Sequence, residues 1–238
     1  MAAALILSGG MGTRLGSSVP KQYIKICDRP VISFCIEVLA GHDEINSIQI
    51  VAAEPWQELI SESVEKYDRG GKFRGFSNPG ENRQLSIYNG LKDIRRYTDD
   101  SGVVLIHDAA RPLLSGRQIT DCLAAMDGHD GVLPVLSMKD TVYRSMDGKR
   151  VDMLLERSEL YAGQAPEVFR IGAYYEANRC LFPDRIHTIN GSTEPAIMAG
   201  MNIAMIPGDE GNFKITSAED LERFSEIMVK RKREADSA

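Results

Sequence analysis

The sequence predicts an α/β protein, a single domain over residues 1–238 whose mostly parallel, Rossmann-like sheet is flanked by helices. Two observations support this fold class. Short apolar runs such as residues 2–8 and 103–106 are typical of strands that are covered on both faces. These runs alternate with segments whose apolar residues recur at helical spacing, and that alternation indicates βαβ units with right-handed crossovers.

Each element has its own signal along the chain. The first strand, 2–8, ends in glycines, and a helix over 30–40 begins at a proline suited to a first helical turn. A β-branched run predicts a strand at 45–53, and the helix that follows, 54–67, stops before Gly70 and Gly71. Further strands at 73–76, 103–106, 131–136 and 202–207 alternate with helices at 83–97, 115–126, 171–180 and from residue 217.

Residues 139–161 break this rhythm. Two short strand-like stretches, 140–144 and 151–155, flank an Asp147-Gly148 turn, which predicts a β-hairpin. The hairpin has too little apolar surface to fold alone. We therefore expect a projecting arm that packs against a second copy of the chain in a homodimer, with an ordinary surface ribbon as the alternative.

The composition is that of an ordinary folded protein, and it narrows the function. Of 238 residues, 43% are hydrophobic and 26% are charged, and the formal net charge is −6. This balance argues against nucleic-acid or membrane-surface binding, so an anionic substrate must be met by a few well-placed cations. The four cysteines form no C-x-x-C pair, and neither a signal peptide nor a membrane span is evident, which favours a cytoplasmic protein with free thiols.

The loop after the first strand has the character of a phosphate-binding loop. Ligands of open α/β sheets lie beyond the carboxyl ends of strands, and glycines there let backbone N–H groups approach phosphate oxygens. The spacing matches neither a Walker A loop nor the full dinucleotide fingerprint. Two cations distinguish the loop, Arg14 and Lys21, because a site that transfers phosphate needs positive charge on the transferring group and on the leaving pyrophosphate. A purely structural glycine turn is the alternative. The phosphate-binding candidates beside these cations are Ser8, Gly9, Gly10, Gly12 and Thr13.

A second candidate group, His107-Asp108-Ala109-Ala110-Arg111, closes the strand at 103–106 on the same edge of the predicted sheet. Mg²⁺ normally takes one or two carboxylates and completes its shell with substrate oxygens and water. Asp108 is therefore a candidate magnesium ligand, with a turn or helix-capping aspartate as the alternative. Arg111 could instead pair with a core carboxylate, and His107 could be a packed, hydrogen-bonded histidine.

Five motifs in order give the chain a family resemblance. The first motif is Gly-Gly-x-Gly-x-Arg from residue 9, followed by Pro-Lys-Gln from residue 20. The others are His-Asp-Ala-Ala-Arg-Pro from residue 107, Asp140-Thr141, Gly-Gln-Ala-Pro-x-x-Phe from residue 163 and Asn-Phe-Lys-Ile-Thr from residue 212. Over nearly its whole length the chain resembles the cytidylyltransferases that include 2-C-methyl-D-erythritol 4-phosphate cytidylyltransferase and ribitol-5-phosphate cytidylyltransferase.

The resemblance implies a role for each matching residue. Arg14, Lys21 and Lys214 would be catalytic, holding the triphosphate of CTP and stabilising charge at its α-phosphorus. Asp108 would meet Mg²⁺. The nucleotide would lie against Ser8, Gly9, Gly10, Gly12, Thr13, Gly80, Glu81, Arg83, Ser86, Asp108 and Ala109. The arm would bring Asp140, Thr141 and Arg157 to the acceptor phosphate bound in the partner subunit.

Departures from the family pattern fall on the acceptor side. Ala165 and Glu167 replace the usual Thr and Gln of a Gln-Thr-Pro-Gln motif, and Asn190-Gly191 stands where Thr-Asp is usual, with Glu194 as a possible replacement acid. Gly211 stands where the methylerythritol enzymes have Asp. We expect transfer of CMP to ribitol 5-phosphate or a similar pentitol phosphate. The alternatives are 2-C-methyl-D-erythritol 4-phosphate, the acceptor of isoprenoid synthesis, and an inactive nucleotide-binding homologue.

Overall fold

A computed structural model describes residues 1–10 and 19–236 of the chain. The strands are β1 (Ala2–Leu7), β2 (Lys25–Ile26), β3 (Arg29–Pro30), β4 (Ile45–Val51), β5 (Phe73–Ser77), β6 (Val103–Asp108), β7 (Gly131–Ser137), β8 (Tyr143–Arg144), β9 (Met153–Leu154), β10 (Tyr161–Gly163), β11 (Glu167–Arg170) and β12 (Ile203–Pro207). The α-helices are α1 (Val31–Gly41), α2 (Gln57–Tyr67), α3 (Arg83–Ile94), α4 (Gly116–Ala124), α5 (Ile171–Arg179), α6 (Glu194–Met198) and α7 (Ala218–Asp236).

The central sheet is mostly parallel, as predicted. Strands β5, β4, β1 and β6 lie side by side and run in the same direction. Strand β11 then pairs antiparallel with both β6 and β7, so that β6 and β7 share a direction, and β12 adds to β7 in parallel. Because β1 and β6 are in register from Ala2 opposite Val103 to Leu7 opposite Asp108, their carboxyl ends meet at one edge of the sheet.

Helices cover both faces of this sheet, and β1 shows why its sequence is apolar throughout. Successive residues of a strand point to opposite faces. Ala4 and Ile6 accordingly pack in a core with α1, whereas Ala3 and Leu5 pack in a second core with α3 and α5. A strand buried on both faces cannot alternate polar and apolar residues, which explains the continuous apolar run.

Besides the short strands β2, β3 and β10, the sequence did not predict β11 or α6. The segment 167–170 forms β11, in which Val168 and Phe169 are fully buried, and a short helix α6 follows the 190–193 segment. Only two apolar residues lie in β11, between a glutamate and an arginine, so its sequence has no strand-like run. Its conformation comes from the hydrogen bonds with β6 and β7 on either side.

The predicted hairpin at 139–161 is present. Strands β8 and β9 pair antiparallel, and the end of the segment returns to the main sheet where Tyr161 of β10 pairs with Ser137 of β7. Large side chains on the hairpin, including Tyr143 and Leu154, are exposed in the single chain. Its role in dimerisation stays a prediction. Within the described part of the chain, no helix is both long and apolar enough to span a membrane.

Candidate active site

A pocket of about 490 Å³ opens at the carboxyl ends of β1 and β6. This is the edge at which ligands of open α/β sheets bind. The first loop, the turn before α3, the end of β6 and the segment around Lys214 all contribute to it. The described residues that line it are Leu7, Gly9, Gly10, Lys21, Gln22, Gly80, Glu81, Asn82, Arg83, Ser86, Asp108, Ala110, Lys214 and Thr216.

Asp108 lies at the centre of a charge cluster. Its Oδ2 is 2.9 Å from Nζ of Lys214 and 3.7 Å from Nε of Arg111. Its Oδ1 accepts hydrogen bonds from Nε and Nη2 of Arg83, both at 3.2 Å. Burial by itself would raise the pKa of Asp108, but Arg83, Lys214 and Arg111 together hold it far below the ordinary range. The carboxylate is thus ionised at all pH values at which the protein would work.

The turn before α3 positions Arg83 and a set of backbone groups against the pocket. The side chain of Asn82 caps the helix by accepting a hydrogen bond from Leu85 N at 2.8 Å. Ser86 Oγ accepts a hydrogen bond from Gly80 N at 3.0 Å. A Cβ on Gly80 would lie 2.3 Å from Leu85 Cβ, so only glycine fits here. Glu81 is exposed at the pocket rim, with one carboxylate oxygen 3.8 Å from Nδ1 of His187.

The start of the first loop is held by two side chains that sequence reasoning did not single out. Gln22 Nε2 donates to the carbonyls of Ser8 at 2.8 Å and Gly10 at 2.7 Å. Tyr23 also donates to Ser8 O, and Ser8 Oγ donates to the Tyr23 hydroxyl. Ser8 is buried and does not line the pocket. Its partners Gln22 and Tyr23 directly follow Lys21, which does line the pocket.

The remaining predicted residues fall into three groups. Gly12, Thr13 and Arg14 lie outside the described residues. Ala109 is buried, and its N–H donates to Leu7 O, so it supports the pocket from below. The acceptor candidates Asp140, Thr141 and Arg157 are exposed on the arm and do not line this pocket. Arg157 Nη1 donates a hydrogen bond to Lys139 O at 2.7 Å.

A network behind the pocket fixes the segment that carries Lys214. Arg111 Nη1 donates to Asn212 O at 2.8 Å, and Ile215 N donates to Ala110 O at 2.9 Å. Asn212 in turn donates through Nδ2 to Ala165 O at 2.9 Å. Arg111 also pairs with the buried carboxylate of Asp108. This confirms the expectation that Arg111 could pair with a core carboxylate. Lys214 reaches the pocket because its neighbours on both sides are held.

Comparison with known proteins shows which family the chain belongs to. The family model IspD, 2-C-methyl-D-erythritol 4-phosphate cytidylyltransferase, matches residues 2–231. The chain belongs to this family. It is therefore a nucleotidyltransferase of the cytidylyltransferase class.

Individual IspD relatives differ in what their names say they act on. The chain is 34% identical to a 2-C-methyl-D-erythritol 4-phosphate cytidylyltransferase of Rubrobacter xylanophilus, over 98% of this chain and 96% of the relative. It is 29% identical to a ribitol-5-phosphate cytidylyltransferase of Lactiplantibacillus plantarum, over 97% of this chain and all of the relative. A third relative, a bifunctional enzyme IspD/IspF of Rhizorhabdus wittichii, is 35% identical, and the match spans 56% of its length.

The solved structures support the fold. The 4-diphosphocytidyl-2C-methyl-D-erythritol synthase of Anaerococcus prevotii superimposes with a TM-score of 0.78, at 24% identity and over 96% of both chains.

The structure shows where three of the departures from the IspD pattern lie. Ala165 is buried, and its carbonyl is bound by Asn212. Glu194 does not line the pocket, and its carboxylate accepts a hydrogen bond from the backbone N–H of Asn190 at 2.8 Å. Glu167 was expected on the acceptor side, but its carboxylate lies 3.6 Å from Arg83 and so belongs to the charge cluster around Asp108.

Proposed function

We propose that this IspD-family chain transfers CMP from CTP to a polyol phosphate and releases pyrophosphate. The observation that carries the proposal is the pocket at the ends of β1 and β6, where Asp108 organises Lys214, Arg83 and Arg111. A triphosphate brings several negative charges, which a site with more cations than carboxylates is suited to receive.

The reaction needs no covalent enzyme intermediate. An oxygen of the acceptor's phosphate attacks the α-phosphorus of CTP in line and forms a new P–O bond. The bond between the α-phosphorus and the bridging oxygen breaks, and both its electrons leave with pyrophosphate. Catalysis then consists of positioning the two phosphates and neutralising the charge that develops, for which Lys21 and Lys214 line the pocket. Arg14 is proposed for the same role on the strength of the family motif.

The donor set can serve a magnesium ion that arrives with the nucleotide, provided that the triphosphate draws Arg83 and Lys214 away from the Asp108 oxygens that they contact. Asp108 supplies one carboxylate at the pocket floor, and no group of three His, Cys, Asp or Glu residues within the described chain could hold a metal by itself. Mg²⁺ commonly uses one or two carboxylates together with substrate phosphates. We propose that Asp108 holds Mg²⁺, which would neutralise charge on the phosphate oxygens.

For the acceptor we propose ribitol 5-phosphate or a similar pentitol phosphate, because Gly211 lacks the carboxylate expected of the methylerythritol enzymes. The methylerythritol alternative is supported by the matched relatives that carry that name. We also propose that Asp140, Thr141 and Arg157 meet the acceptor in a second copy of the chain. Their exposure on the arm, outside the pocket of their own chain, supports this arrangement.

An acceptor panel tests the proposal. The purified protein would be incubated with CTP, Mg²⁺ and one of ribitol 5-phosphate, other pentitol phosphates or 2-C-methyl-D-erythritol 4-phosphate, and pyrophosphate release would be measured. We expect release only when an acceptor is present, with the largest rate for a pentitol phosphate. Highest turnover with methylerythritol phosphate would establish the alternative acceptor. Binding of CTP without release for any acceptor would indicate an inactive homologue.

Lys21→Ala provides the matching test of the pocket. We expect a loss of about 100-fold or more in kcat with an unchanged fold, because a positive charge on the transferring group is removed. Lys25→Ala is the control, since Lys25 is exposed on β2 only four residues away. Near-normal turnover in Lys21→Ala would contradict the assigned chemistry.

A further inference from the structure

The guanidinium of Arg83 lies between two buried carboxylates. On one side it donates twice to Asp108 Oδ1, at 3.2 Å. On the other, its Nη2 is 3.6 Å from Glu167 Oε2. Arg83 lines the nucleotide pocket with its side chain 34% exposed, whereas Glu167 is only 8% exposed and does not line it. Glu167 can therefore influence the nucleotide only through Arg83 or through its charge.

Glu167 is itself held from the side away from the pocket. The hydroxyls of Ser192 and Thr193 both donate to its carboxylate, the second at 3.3 Å. Ser192 is fixed further by its carbonyl, which accepts a hydrogen bond from the Tyr174 hydroxyl. A buried carboxylate is costly unless it is paired and hydrogen-bonded, and here both oxygens have partners. Its position is therefore well determined.

The charges around Arg83 make this arrangement consequential. The cluster holds three cations, Arg83, Arg111 and Lys214, and two carboxylates, Asp108 and Glu167. Without Glu167, Asp108 would be the one carboxylate left to attract all three cations. Arg83 would then have a single ionic partner, and its planar donors would no longer be fixed from two directions.

We propose that Glu167 is a positioning residue for the nucleotide, holding the Arg83 guanidinium in the orientation that receives CTP. The inference rests on the proposed function, because it takes CTP as the ligand of this pocket. It concerns a residue that departs from the usual family glutamine. The carboxylate acts together with its hydroxyl partners in the 190–193 segment, so that this segment and the nucleotide pocket are structurally connected.

A double-mutant cycle tests the inference. The dissociation constant of CTP would be measured by calorimetry for the wild type, Glu167→Gln, Arg83→Gln and the double variant, with kcat measured alongside. We expect Glu167→Gln to weaken CTP binding roughly fivefold in the wild-type background and less than twofold in the Arg83→Gln background. The difference corresponds to a coupling free energy of about 0.5–1 kcal/mol between the two side chains. Arg83 would contact the nucleotide both in the CTP complex and in the transition state. The substitution should therefore change kcat less than it changes the dissociation constant of CTP.

The isosteric control is Glu176→Gln, which alters an exposed ion pair with Arg179 far from the pocket and should leave CTP binding unchanged. Glu167→Asp keeps the charge but withdraws it from Arg83. If position matters, this variant also weakens binding, and it replaces Glu167→Gln in the cycle should that variant fail to fold.

Each other outcome has a distinct meaning. Equal effects of the Glu167 substitution in both Arg83 backgrounds would overturn the inference, and so would unchanged affinity in Glu167→Gln. Tighter CTP binding in that variant would also overturn the inference, because Glu167 would then act only as a negative charge that repels the nucleotide. Absence of CTP turnover in the wild-type protein would instead contradict the proposed function, which the acceptor panel detects separately.

Discussion

Replacing Asp108 by asparagine removes the one charge that touches all three cations of the cluster. The side chain keeps its size, but Lys214 at 2.9 Å, Arg83 at 3.2 Å and Arg111 at 3.7 Å lose their common ionic partner. The cations then repel one another in a partly buried site. We therefore expect Asp108→Asn to reduce the free energy of unfolding as well as activity.

The magnitude follows from the burial of the cluster. Removing one partner of a buried ion pair typically costs about 3–5 kcal/mol. Arg83 and Lys214 are 34% and 35% exposed, so water screens part of the repulsion and the lower end applies. A loss of about 3 kcal/mol corresponds to a fall in Tm of roughly 6–12 °C for a chain of this length.

Urea unfolding and thermal melts without ligand would measure this loss. The control is Asp100→Asn, the same chemical change at an exposed pair in which Asp100, 50% exposed, meets Arg95 at 2.6 Å. Exposed pairs contribute about 0–1 kcal/mol. If Asp108→Asn were no less stable than Asp100→Asn, the three cations would be independently hydrated, and Asp108 would not organise the site.

Two further predictions concern the surroundings of the pocket. Gly80→Ala should lower both the affinity for CTP and the thermal stability, because the new Cβ would lie 2.3 Å from Leu85 Cβ; a thermal melt and a CTP titration would measure the two effects. The control is Gly10→Ala, which should retain its stability because its Cβ would contact no described atom within 4 Å. Burial lowers the pKa of His107 from an ordinary 6.5 to about 4. Unfolding therefore takes up a proton in this range, and stability is lost as the pH falls from 6.5 towards 4. Urea titrations in metal-free buffer at pH 7.5 and pH 5 should show a loss of about 2 kcal/mol from this group. His107→Gln should lack that part of the pH dependence while His187→Gln keeps it, and equal pH dependence in His107→Gln and the wild type would refute the assignment.

Much of the pocket could be predicted because its parts are local in the sequence. The run at 2–8 and the strand ending at Asp108 are each recognisable alone, and parallel strands must present their carboxyl ends together. Gly80, Arg83 and Ser86 precede or begin one helix, so their common position follows from a single turn. The expectation that Arg111 could pair with a core carboxylate was also correct.

What could not be predicted depends on contacts between distant segments. Strand β11 is formed by its neighbours in the sheet, and its insertion beside β6 brings Glu167 to Arg83, 84 positions earlier in the sequence. No local sequence pattern predicts this contact between Glu167 and Arg83. Gln22 belongs to the Pro-Lys-Gln motif, but its structural role has no local signal, because its contacts with Ser8 and Gly10 join residues 14 and 12 positions apart.

The central claim is transfer of CMP from CTP, and the fate of labelled phosphorus tests it most directly. The protein would be given CTP labelled at either the α- or the γ-phosphorus, together with each phosphate of the acceptor panel in turn. We predict that the α-label appears in a product carrying both cytidine and the polyol, while the γ-label appears in pyrophosphate. Retention of the α-label in CTP with every acceptor, or release of the γ-label as inorganic phosphate in place of pyrophosphate, would contradict it.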